Sequence, residues 1–105
     1  MKAGSPKYKV RLLSIAEQDL QDIVAFIAAD NVPAAVTLAD KIERDLERLA
    51  RLPFLGRVPN DERLAAMAYR VLVIENYLTF YKITGKTVLV HRILHGARDL
   101  PNLLE

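Results

Sequence analysis

From Tyr8 to Leu13 basic and apolar residues alternate, with Lys7, Lys9 and Arg11 set against Tyr8, Val10 and Leu12. A two-residue period is that of a half-buried strand. The period changes at Ser14. Ala16, Leu20, Ile23, Val24 and Ile27 recur at three- and four-residue steps, with Glu17, Gln18, Gln21 and Asp22 on the other side, which predicts an amphipathic helix. Ser14 and Glu17 fit a capping box at its start, hydroxyl and carboxylate each satisfying a backbone N–H. Asp30, Asn31 and Pro33 break that helix and start another, with Asn31 as cap and Pro33 in the first turn. The second helix is predicted to run to about Leu52 on a stripe of Ala35, Leu38, Ala39, Ile42, Leu46 and Leu49. Acid-before-base pairs, Asp40 to Arg44 and Glu47 to Arg51, support it. So short a connection predicts an antiparallel helical hairpin.

Pro53, Gly56 and Pro59 mark PFLGRVPND as a loop. The following DERLAAMA fits either a helical turn or an extended lead-in. Three runs rich in Val, Ile, Leu, Tyr and Phe then cover Ala68 to Ile74, Tyr77 to Ile83 and Thr87 to Leu94, separated by Glu75-Asn76 and Thr84-Gly85-Lys86. Each is strand length, which predicts an antiparallel meander. The fold class is α+β: an early β-strand, an antiparallel two-helix hairpin and a three-stranded antiparallel meander, with the helices on one face of the sheet. Apolar residues of both parities in the second and third strands mean that the other face is either buried too or an exposed groove for a partner, and in so small a chain the groove is expected.

At 105 residues the chain supports one core, so residues 1–105 read as one domain with 1–7 as a flexible tail. It contains no cysteine, which excludes disulfides and thiolate metal sites. The start, MKAGSPKYK, has no apolar run of the signal-peptide kind, and no apolar run reaches the length of a membrane span. A cytoplasmic protein is expected. The net charge of +2 hides an uneven distribution. Between Ser14 and Leu49 eight acids face three bases, a balance of −5, whereas between Arg63 and Arg98 six bases face one acid, a balance of +5. Such a dipolar chain can offer its basic part to nucleic acid or an acidic protein.

Candidate chemistry is sparse. His91 and His95 are four apart, but along a strand that spacing separates their rings by roughly 13 Å, so no metal site is expected, and no cofactor is implied. His95, next to Gly96 and near Arg98, is a candidate general acid or base, or a histidine bonded to nearby backbone. Arg92 shares parity with Val88, Val90 and Leu94, which fits snorkelling along an apolar face. Arg70, alone in an apolar strand, would be costly to bury without an acid and is expected to contact a partner. Arg98 either joins that surface or pairs with a nearby acid such as Asp99. The helical carboxylates are expected on the solvent side, and Tyr69, Tyr77 and Tyr81 in the core.

The segments YRVLVIENYLTFYKI and VHRILHGARDL, in this order of elements, resemble the RelE/ParE superfamily of type II toxin–antitoxin toxins, over Tyr8 to Leu104. The resemblance implies a small cytoplasmic toxin neutralised by a cognate antitoxin. RelE-type members cut messenger RNA on the ribosome with basic residues and a proton-transfer group. Arg70 and Arg98 fall where that pattern has basic residues, and His95 could serve as the acid. Leu78, however, stands where those nucleases carry an arginine, and Leu104 stands near their terminal tyrosine. ParE-type members resemble the chain in its ILH-x-x-x-DL ending, and they poison DNA gyrase by binding. That comparison implies a target-binding surface of Arg98, Leu100, Leu103 and Leu104, joined less securely by Arg70 and Arg92. It makes gyrase the expected target, with ribosome and mRNA as the alternative and a non-toxic antitoxin-binding module as a third reading. In each case an acidic antitoxin segment is expected over the apolar groove and the basic strand residues.

Overall fold

Seven elements follow one another in the computed structural model, which describes residues 7–96. They are β1 Lys9–Leu12, α1 Ser14–Ala28, α2 Val32–Arg48, α3 Glu62–Ala66, β2 Arg70–Ile74, β3 Tyr77–Thr84 and β4 Thr87–His95. The predicted α+β order holds. The sheet runs β1-β4-β3-β2, with β2, β3 and β4 forming the antiparallel meander and β1 joining β4 in parallel. Both hairpin turns use left-handed backbone, Gly85 at φ 59° and Glu75 at φ 55°. Glycine adopts that conformation freely; at Glu75 it costs about 1 kcal/mol.

The start of α1 corrects the capping box. Leu13, in extended conformation, is the N-cap, and no side chain caps the helix. The Leu13 N–H is still bonded to the Val90 carbonyl at 2.9 Å, as the last rung beside β4, while its own carbonyl accepts from Glu17. Ser14 is therefore already helical, one residue past the capping position. Asn31 behaves as expected and accepts from the Ala34 N–H at 3.0 Å. α2 ends at Arg48, four residues before the predicted limit. Of the predicted tail, residues 1–6 lie outside the described residues, and the Lys7 N–H is tied to the Ala50 carbonyl.

The hairpin covers one sheet face. Ala16 of α1 and Ile42 and Leu46 of α2, with Leu49, pack on Ile74, Tyr81, Val88, Val90 and Ile93. Val88 and Val90 share that face with Ile93 because β4 carries a bulge: Phe80 is opposite Arg92 and Tyr81 opposite Val90, leaving His91 as the extra residue. Thr79 is fully buried here, and its hydroxyl has no partner among the described residues.

The opposite face is neither fully buried nor fully open. Asp61 caps α3 by accepting from the N–H groups of Arg63 and Leu64. The helix then closes with Tyr69 N–H on the Leu64 carbonyl and Ala68 N–H on the Ala65 carbonyl, a Schellman ending with Ala68 at φ 67° in the place glycine usually takes. This ending folds Leu64 and Tyr69 onto Val71 and Phe80 as a second, smaller core. The segment DERLAAMA is thus a helical turn.

Candidate partner-binding face

The strand arginines expected to reach outward have partners inside the domain. Arg92 donates from Nε to Asp19 Oδ2 at 2.8 Å and from Nη2 to Oδ1 at 2.9 Å. Both side chains are largely buried, 17% and 12% exposed. Asp19 also accepts the Ile93 N–H at 3.0 Å, and this two-pronged pairing raises the Arg92 pKa further. Snorkelling is therefore replaced by an ion pair, and at least one helical carboxylate lies inside. The sequence carries a signal for Asp19. It stands three residues after Ala16 and four before Ile23, on the apolar stripe, where an acid needs a buried cation.

Arg70 is held without an acid, although its buried Nε has no hydrogen-bond partner among the described residues. Its Nη2 donates to the carbonyls of Gly56 at 2.6 Å and Phe54 at 3.3 Å, and its guanidinium carbon lies 5.2 Å from the Phe54 ring centroid. The Tyr81 hydroxyl holds the same loop by donating to the Pro53 carbonyl at 2.7 Å and accepting the Gly56 N–H at 3.0 Å. Only glycine fits at 56, since a Cβ there would lie 2.7 Å from the Val71 carbonyl. Arg70 thus fixes a loop from a part-exposed position.

The second face divides into two halves. One is an open hollow of about 160 Å³ lined by Leu64, Val71, Leu78 and Phe80, with Arg57 and Asp61 at its rim. This is the expected groove, reduced by α3. The other half is cationic. Leu89 is the register partner of both Arg11 on β1 and Lys82 on β3, so these three residues form one row across the sheet. Lys9 lies on the same face of β1, since Val10 and Leu12 turn to the helices and both Lys9 and Arg11 are exposed. Lys82 Nζ sits 4.4 Å from the Tyr69 ring centroid.

Beside that row the Tyr69 hydroxyl meets His91 Nδ1 at 3.3 Å, and the two rings pack edge to face. Burial and the Lys82 charge lower the His91 pKa, and burial raises that of Tyr69. Both shifts favour the neutral forms, and the imidazole tautomer sets which of the two groups donates. His95 packs against a different ring, that of Tyr77, with centroids 5.6 Å apart. Arg98, Leu100, Leu103 and Leu104 lie outside the described residues. Neither histidine is assigned chemistry by these contacts, and among the described residues no helix is long and apolar enough to cross a membrane.

The family model for the ParE toxin of the type II toxin–antitoxin system parDE matches residues 10–100. Among solved structures, the fold is similar to a chain of the chromosomal ParDE system from P. aeruginosa, with a TM-score of 0.71 and 19% identity, over 87% of this chain and 98% of that one. It is also similar to a chain of the RelBE2 toxin–antitoxin complex from Mycobacterium tuberculosis, with a TM-score of 0.56 and 26% identity, over 87% and 99%. A search of curated proteins gives no match.

Proposed function

This chain belongs to the ParE toxin family of type II toxin–antitoxin systems, and on that footing we propose that it poisons DNA gyrase by binding and is held inactive by a cognate antitoxin. The observation that carries the reading is where the arginines go. A site that cleaves a phosphodiester gathers cations around one phosphate. Here Arg70 turns to the loop carbonyls and Arg92 to Asp19, while Leu78 lines an apolar hollow. That arrangement supports binding over cleavage. The tail residues Arg98, Leu100, Leu103 and Leu104 remain the proposed gyrase-facing surface.

The antitoxin is proposed to place an apolar side chain in the hollow between Leu64 and Phe80 with an acidic neighbour near Arg57, in line with the toxin–antitoxin complexes the fold resembles. The test is purified toxin at micromolar concentration in two assays, gyrase supercoiling and translation of a message in extract. Loss of supercoiling with translation intact is expected. Intact supercoiling with cleaved message reverses the assignment, and harmless expression without antitoxin refutes toxicity altogether.

A further inference from the structure

The cationic half of the second face has no role in the antitoxin hollow, and its cations are not those that a cleavage site would gather. We propose that Lys9, Arg11 and Lys82 form a sequence-independent binding strip for the phosphate backbone of duplex DNA. The proposal goes beyond gyrase binding, because it assigns the toxin a direct contact with the DNA itself.

Four features support duplex DNA as the occupant. The charges are of one sign: among the described residues neither Lys9 nor Arg11 meets an acidic partner, and Lys82 is held by a ring. The acids of the covering layer, Asp61 and Glu62, stand at the start of α3, where Asp61 lines the hollow and is engaged as the helix cap. The cations also do not converge. Arg11 and Lys82 flank Leu89 on neighbouring strands, a span of about 10 Å, and Lys9 is about 7 Å along β1 from Arg11, so a polymeric anion suits them better than a single phosphate. Finally, the face offers little for unpaired bases to stack on. Tyr69 is 4% exposed, Lys82 lies over its ring and the His91 ring packs against it. Single-stranded RNA is bound largely by stacking on open rings, whereas a duplex needs only its phosphates contacted.

The test is binding of the full-length toxin to a labelled DNA duplex of arbitrary sequence, without gyrase, between 50 and 200 mM salt. Three phosphate contacts predict a loss of affinity of roughly 40-fold over that range. In Lys9→Gln/Arg11→Gln, changed only at exposed edge positions, the loss falls to roughly 3- to 4-fold. Arg44→Gln/Arg48→Gln, on the helical side, leaves binding as in the parent. The proposal is overturned if the strip variant keeps its affinity and salt dependence, or if the helical variant weakens binding equally. It is also overturned if single-stranded RNA or polyglutamate of equal charge binds the strip as tightly as duplex. Because the assay contains no gyrase, absence of DNA binding leaves the gyrase reading standing, and a toxin that binds DNA but spares gyrase leaves this one standing.

Discussion

Two stretches of the sheet's margin, the end of β4 beyond β1 and the outer side of β2, are closed by opposite chemistry. β4 runs on after β1 has ended, and there Asp19 takes the Ile93 N–H together with the Arg92 guanidinium. At the β2 edge, Arg57 exchanges two backbone hydrogen bonds with Val71, in a loop held by a phenol and by an arginine resting on carbonyls. An unpaired edge is a template for association, so both closures protect the fold. The charged closure needs one acid in the right place. The other, in which carbonyls take the place of the acid, needs a glycine, a tyrosine and an arginine acting together.

The charged closure is expected to fail hardest when cut. Asp19→Ala leaves a largely buried guanidinium and a backbone N–H without their acceptor, and should lower stability by about 3 kcal/mol in urea unfolding. Asp19→Asn, which keeps an acceptor for Ile93, should fall clearly short of that loss; an equal loss would mean that the charge carries all of it. Tyr81→Phe removes the hydroxyl between Pro53 and Gly56 and should cost about 2 kcal/mol. If it instead proves neutral, Arg70 and the Arg57–Val71 backbone pair hold the loop without the phenol. Between the edges, on the central strand, Thr79→Val replaces a buried hydroxyl that has no partner, and a gain of about 1 kcal/mol in the same experiment is expected. A loss there would show that the hydroxyl is satisfied in solution.

Much of the architecture was legible because periodicity records it directly. The stripes of α1 and α2 and the alternation of β1 all lie where the spacing of apolar residues puts them. What escaped were features fixed between distant segments. Ser14 has the right chemistry for a cap, yet the Leu13 rung with Val90 sets where the helix begins. α3 was ambiguous because Ala68 stands where a glycine would have announced its end. The site was less legible than the fold for a related reason. The sequence shows that Arg70 and Arg92 are basic residues in strands, but carbonyls and a carboxylate far along the chain decide whether that charge reaches solvent. In the sequence Lys9 and Arg11 are only the polar side of a strand; it is the parallel register that sets Arg11 in line with Lys82.

The bulge at His91 acts as a phase shifter for everything downstream. Before it, even-numbered side chains of β4 point to the helices; after it, odd-numbered ones do. Removing that single residue would restore an unbroken pleat, bury what is now Arg92's side of the strand differently, and turn the exit at His95 and Gly96 through half a rotation. The heading on which the polypeptide departs toward its carboxyl end is therefore encoded by one supernumerary amino acid in the last strand.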